Sequence, residues 1–179
     1  RGDRQTFVIG MGHGTSACEG AAFEYIANIH KDLLRRKVRD KAELIYLTNE
    51  PALGDFGIRG TFMQRGGKTL SSEVVIGALV KEYNIKAEIQ KAVTRVEPGR
   101  LYWEDFDGNE GEIAYDFAML LPRFSGVGIQ YIDKHNENIT SKVVNQAGFV
   151  LVDGIYGLSY DELCHTSDAW PAIYQSAAY

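Results

Sequence analysis

Thr6-Phe7-Val8-Ile9-Gly10-Met11-Gly12-His13-Gly14-Thr15-Ser16-Ala17-Cys18 decides the fold. Thr6 to Ile9 form a short apolar β run, and glycines 10, 12 and 14 follow it directly. Beyond them Ala22, Ile26, Ile29 and Leu33 recur at intervals of four, three and four. That spacing lines one face of a helix. Lys31, Asp32, Arg35 and Arg36 fill its later turns, and Arg35-Arg36-Lys37 suits the negative end of a helix dipole. Glu43-Leu44-Ile45-Tyr46-Leu47-Thr48 reads as a second strand. Strand, glycine turn, helix and strand make a βαβ unit, which crosses over right-handed into a parallel pair.

Outward from this unit, Pro51 and the glycines at 54, 57, 60, 66 and 67 mark a long loop. Loops of that length in a compact domain are functional or mobile. A second helix is expected from about Leu70 to Tyr83, with Val75, Ala78 and Leu79 on one face and Asn84 at its end. Residues 86–89 read as a third strand. From Val93 to Tyr115 the pattern changes: Pro98-Gly99 and Asp107-Gly108-Asn109 separate β-prone runs, an antiparallel meander. Phe117-Ala118-Met119-Leu120-Leu121 is a continuous apolar run, as in a buried parallel strand. Gly148 to Asp153 reads as a further short strand. The expectation is a single α/β domain of three layers over residues 1–179, with the meander replacing one crossover helix.

Composition narrows the classes. Nineteen basic residues against 24 acidic ones give a net charge of −5, which offers no footprint for nucleic acid. No apolar run approaches the roughly 20 residues of a membrane-spanning helix. The two cysteines, Cys18 and Cys164, are too few for a disulfide scaffold and read as reduced, cytosolic thiols. No His, Cys and Asp spacing matches a zinc site, so no metal is expected. The chain lacks an initiator Met and stops at Ser176-Ala177-Ala178-Tyr179, so it reads as a piece of a longer protein.

Two candidate sites emerge from the residues. Gly12-His13-Gly14-Thr15-Ser16-Ala17 fits G-x-G-x-x-A between a strand and a helix, the context in which backbone amides cradle a pyrophosphate. Gly10, Gly12 and Gly14 would shape that turn, and Glu50, at the end of the second strand, is the acid for a ribose. The step from loop to Glu50 exceeds the roughly 20 residues of this fingerprint. The plainer reading is a turn that packs a helix on a sheet without holding NAD(P). The second candidate is Cys18, placed in the first turns of the helix. Free N–H groups and the dipole favour a thiolate there, whereas a cysteine is by default a small buried hydrophobe.

Cys18-Glu19-Gly20-Ala21-Ala22-Phe23-Glu24-Tyr25 resembles the C-x-G-P-A-Y-E-F stretch of sulfide:quinone oxidoreductases. Leu44-Ile45-Tyr46-Leu47-Thr48-Asn49-Glu50-Pro51, followed by Leu53-Gly54, resembles that family's L-x-Y-L-T-N-E-P-x-L-G segment. Phe117 to Pro122 with Phe124 and Gly126, and then Gly148 to Asp153, are similar to its later strands. The resemblance runs from Thr6 to Asp153 in one order.

The resemblance implies a Rossmann-like fold with a central parallel sheet, the second dinucleotide-binding domain of an FAD enzyme. It implies FAD in the full-length protein, not bound tightly by this chain alone, and leaves NAD(P) doubtful. Cys18 becomes a redox cysteine beside the flavin, and Glu24 a proton carrier near the sulfur. Sulfide and a quinone are the implied small-molecule substrates, and the rest of the FAD-binding domain is the implied partner. The second redox cysteine and the membrane-anchoring segment would lie beyond residue 179. The location implied is cytoplasmic, with the full-length protein peripheral on the membrane; a homo-oligomer stays open. Ala21 stands where the family has Pro, and Asp55 where many members carry His. Cys164 matches no family motif and reads as a loop thiol; Glu24, by its residue type alone, reads as a solvated helix residue. The alternatives are an NAD(P)H-dependent flavin oxidoreductase resembling type II NADH dehydrogenases, with Cys18 structural, and a non-catalytic interface domain.

Overall fold

The computed structural model describes residues 4–151 apart from 14, 15 and 17. Its chain divides after Phe124 into two compact units, where the sequence reads as one domain over 1–179.

The first unit is built on four parallel strands in the order β5-β2-β1-β9. Strand β1 (Gln5–Met11) pairs with β2 (Ala42–Leu47) on one side and with β9 (Phe117–Leu121) on the other. Strand β5 (Ile85–Glu88) pairs with β2. Helix α1 (Glu19–Arg35) links β1 to β2, and α2 (Ser72–Glu82) precedes β5. The expected α/β class and its βαβ start are therefore present.

Successive side chains on a strand point to opposite faces, and the core follows that period. Ile9, Met11, Leu44 and Tyr46 face the helices, packing on Ala22, Phe23 and Ile26 of α1 and on Ile76 and Val80 of α2. Their neighbours Val8, Ile45 and Leu47 face the other way, onto Val93 and Leu101. Those two residues belong to the meander β6 (Lys91–Glu97), β7 (Arg100–Asp105) and β8 (Glu110–Ala114). Helices, sheet and meander are the three layers. Each fully buried aliphatic side chain contributes about 2 kcal/mol of transfer free energy; Ile9 and Ile26 on one face and Val8, Leu47 and Leu101 on the other are 0% exposed.

Three local expectations change. The stretch read as one long loop contains a hairpin, β3 (Phe62–Arg65) and β4 (Lys68–Ser71), turned at Gly66-Gly67. Both glycines have positive φ, as a two-residue hairpin turn requires. Gly10 does not follow the first strand but lies within it, opposite Leu47 and Leu120. The strand expected from Gly148 is an isolated bridge, Val144 to Val150, and residues 152 and 153 fall outside the described residues.

That bridge belongs to the second unit. There a second bridge joins Ile132 to Asn138, and Thr140–Val143 form the short helix α3. Gly126 and Gly148 lie in backbone contact, the Gly126 amide donating to Ala147 O at 2.7 Å.

Candidate functional site

Parallel strands all end on one edge of their sheet, so the segments after β1, β2 and β9 meet there. The segment after β1 is anchored on the last residue of β9. Leu121 O accepts the Gly12 amide at 2.8 Å and the Ser16 hydroxyl at 2.8 Å. A Cβ at Gly12 would lie 2.8 Å from that carbonyl oxygen, so only glycine passes here without a shift. Gly14 lies outside the described residues. The turn expected from the sequence is thus present as far as it is described, with the Gly12 N–H donated inside the protein.

Cys18 is the N-cap of α1, one position earlier than a place in the first turn. Its thiol is free and the residue is exposed. Its backbone is left-handed, with φ 77° and ψ 48°. For a residue with a Cβ this costs on the order of 1–2 kcal/mol. Such strain persists where the surroundings hold it, and here they are visible. The Cys18 carbonyl accepts the Ala21 amide at 3.0 Å. The next carbonyl, that of Glu19, lies 3.2 Å from the Tyr46 hydroxyl. Glu24 is exposed on the same helix.

Glu50, expected as a ribose ligand, is 3% exposed. Its Oε2 accepts the hydroxyls of Tyr46 and Thr48, both at 2.9 Å. Its Oε1 accepts the Phe56 amide at 2.8 Å. Burial, and then the Glu50 carboxylate beside it, push the Tyr46 hydroxyl well above the ordinary tyrosine range, so it stays a donor. Tyr46, Thr48 and Glu50 alternate along the end of β2 and just past it, which is why their side chains meet, and Tyr46 reaches the start of α1 at Glu19.

The segment after Glu50 folds back over that helix start. The Phe56 ring approaches Gly20, and Gly57 lies beside the Glu19 carboxylate. The far end of the segment is curled around Ser72, which is 1% exposed. The Ser72 hydroxyl donates to Gly54 O at 2.6 Å and accepts the Thr61 amide at 2.9 Å. Left-handed backbone recurs at Gly54, Phe56, Gly57, Arg59 and Gly60. Asp55, a departure of this sequence from the resembled family, caps this turn, its Oδ1 accepting the Gly57 amide at 3.0 Å.

The structure therefore ties Glu50 to the 51–61 segment and, through Tyr46, to Glu19 in the helix start that Cys18 caps, and leaves Glu24 exposed on α1. Sequence reasoning missed Tyr46, Ser72 and Phe56 as parts of this arrangement. The signal for Tyr46 was its period-two spacing from Thr48 and Glu50. Among the described residues no group of three or more His, Cys, Asp or Glu is placed to hold a metal ion, and no helix is long and apolar enough to cross a membrane. Cys164 lies outside the described residues.

A parallel sheet of this order, with a glycine turn between β1 and α1, defines a Rossmann-like domain of the dinucleotide-binding type. No family model matches the chain. A sulfide-quinone reductase of Aquifex aeolicus (strain VF5) is 34% identical over 119 residues, 66% of this chain and 26% of that protein. The crystal structure of the sulfide:quinone oxidoreductase from Aquifex aeolicus superimposes with a TM-score of 0.65 at 31% identity, over 83% of this chain and 31% of that one. A histamine dehydrogenase from Rhizobium sp. 4-9 follows at a TM-score of 0.45 and 11% identity, over 96% of this chain and 19% of that one, too low to bear on function. The chain belongs to the sulfide:quinone oxidoreductase family and spans between a quarter and a third of the length of the relatives it matches.

Proposed function

We propose that the full-length protein is an FAD-dependent oxidoreductase that oxidises sulfide and passes the electrons to a quinone, with Cys18 as the sulfur nucleophile. The observation that carries this reading is an exposed thiol at the N-cap of α1, in a chain 34% identical to a sulfide-quinone reductase.

The residues present fit a flavin that meets this chain at Cys18 better than a dinucleotide held within it. Both oxygens of Glu50, the acid expected to hold a ribose, are spent on partners inside the protein. Cys18 would face the ring. FAD, when bound, supplies the two-electron acceptor.

The part of this chain is to hold sulfur. Cys18 forms a disulfide with a second cysteine outside the chain. Hydrosulfide attacks that bond, the S–S bond breaks, and one cysteine leaves as a thiolate while the other carries the added sulfur as a persulfide. The N-terminal end of α1 stabilises negative charge on Cys18. Glu24, the proton carrier implied by the family resemblance, is exposed on α1 six residues from Cys18 and makes no hydrogen bond to it among the described residues.

Anaerobic stopped-flow mixing of the full-length protein with sulfide tests the reading. Bleaching of the flavin is expected, and Cys18→Ser abolishes it. Bleaching by NADH but not by sulfide would sink the proposal in favour of an NAD(P)H oxidoreductase, and undiminished sulfide turnover in Cys18→Ser would make the cysteine structural.

A further inference from the structure

We propose that Glu50 is a positioning residue for Cys18, acting through Tyr46 and Phe56, and that it is not a ribose ligand. The proposal rests on the reading of Cys18 as the sulfur nucleophile.

Three donors converge on a side chain that solvent does not reach. Oε2 takes two hydroxyls and Oε1 takes one backbone amide. A ribose would have to displace these donors from a group that is 3% exposed. The donors lead to two segments that meet the start of α1 at Glu19 and Gly20, next to Cys18. The Phe56 amide fixes the turn whose ring approaches Gly20. The Tyr46 hydroxyl lies 2.9 Å from Glu50 and 3.2 Å from the Glu19 carbonyl, the carbonyl next after that of Cys18. Tyr46 is 1% exposed and has no freedom to swing away. Cys18, Phe56 and Arg59 all hold left-handed backbone, the kind of conformation that persists only when neighbours over-determine it. Glu50 reaches both segments: directly at the Phe56 turn, and through the Tyr46 hydroxyl at the helix start.

The chemistry separates three substitutions. Tyr46→Phe removes the link to Glu19 and leaves Glu50 two donors. Glu50→Ala removes the bond to the Phe56 turn and the carboxylate that anchors Tyr46, leaving only the Tyr46–Glu19 contact. Glu50→Gln keeps both bonds: its amide oxygen accepts from Phe56, its NH2 donates to the Tyr46 oxygen, and the Tyr46 proton turns fully to the Glu19 carbonyl.

The test uses the full-length flavoprotein with its thiols reduced. The rate of Cys18 alkylation by iodoacetamide is read by peptide mass spectrometry, beside the kcat and KM for sulfide. Tyr46→Phe and Glu50→Ala are expected to change the alkylation rate by about five-fold, the scale of one lost buried hydrogen bond. The kcat falls while KM holds, because the thiol is displaced and not removed. Glu50→Gln restores both readouts to within about twofold of the wild type, well inside that scale. Unchanged alkylation in folded Tyr46→Phe overturns the proposal, and so does a Glu50→Gln as damaging as Glu50→Ala. Weaker NADH binding by Glu50→Gln with unchanged alkylation returns Glu50 to a ribose role. Should Glu50→Ala fail to fold, the other two variants decide. The alkylation rate needs no turnover, so it reads the positioning even where Cys18→Ser shows that the sulfide reading itself is wrong.

Discussion

Gly10→Ala and Gly77→Ala make the same chemical change and should move stability in opposite directions. Gly10 lies in β1 between two parallel neighbours. A Cβ there would sit 1.8 Å from Leu47 O, 2.7 Å from Leu47 C and 2.9 Å from Leu47 N, all backbone atoms. Real Cβ contacts keep 3.0 Å, so β1 and β2 must part by about 1.2 Å at this point. No side chain can swing aside to absorb that. The separation weakens the pairing at the end of β1 and β2, about 1 kcal/mol net for each hydrogen bond lost. It also strains Ile9 and Leu47, both 0% exposed, and forced repacking of this kind costs typically 1–3 kcal/mol. The expected loss is about 3–5 kcal/mol, a large share of the roughly 5–15 kcal/mol that holds a domain together. Gly77 lies inside α2, and a Cβ there would meet nothing within 4 Å. Relief of glycine's backbone entropy should then stabilise by about 0.5–1 kcal/mol. Urea unfolding of the chain, followed by far-UV circular dichroism, measures both. A Gly10→Ala variant within about 1 kcal/mol of the wild type, well short of the summed cost of lost hydrogen bonds and forced repacking, would refute the close approach of β1 to β2.

Stability should fall with acid through His30. Its Nδ1 accepts from Arg39 Nε at 3.0 Å and its ring stacks on Tyr83; burial, and then the Arg39 charge, hold it below the ordinary 6.5. The unfolded chain takes up that proton first, so this contribution is complete above pH 6.5 and is lost as pH falls through the lower folded value. Thermal melts across that range should show the slope in the wild type and a flatter one in His30→Gln; equal slopes would count against it. Ser72→Ala should cost about 1–3 kcal/mol, since it orphans the Gly54 carbonyl and the Thr61 amide, and should open the 54–61 turn to proteolysis first. Cleavage at wild-type rate would show that Ser72 does not hold the turn.

The parts of the fold legible in the sequence are those in which one period dominates. Ala22, Ile26, Ile29 and Leu33 mark α1 because a single face is buried, and β6 to β8 show as runs between turn residues. The hairpin at Phe62 to Ser71 was hidden because its strands are short and its Phe62 and Met63 side chains are exposed, so no alternation of burial announces it. Gly66-Gly67 carried the signal and was read as loop composition. Gly10 was misplaced for a related reason: glycine after a strand suggests a turn, but here it marks the close approach of a neighbouring strand. The place of Cys18 at the start of α1 was legible from spacing alone. Its left-handed backbone was not, because a backbone angle of this kind leaves no periodicity or spacing in the sequence. Glu50 was legible as an acid at a strand end, but its role depends on which donors reach it, and a motif does not specify that.

The edge where these strands end explains why one fold can present either a dinucleotide site or a sulfur site. A nucleotide needs amides and a carboxylate turned outward from that edge. In this chain the Gly12 amide turns in to Leu121 and the Glu50 carboxylate turns in to Tyr46, Thr48 and Phe56. These polar groups bond to backbone and side chains within the protein, and the thiol at the head of α1 is exposed. Binding a nucleotide here would leave several buried donors unpartnered, at about 1–3 kcal/mol for each. The proposed positioning of Cys18 by Glu50 predicts that tighter positioning of the sulfur and weaker binding of NADH appear together.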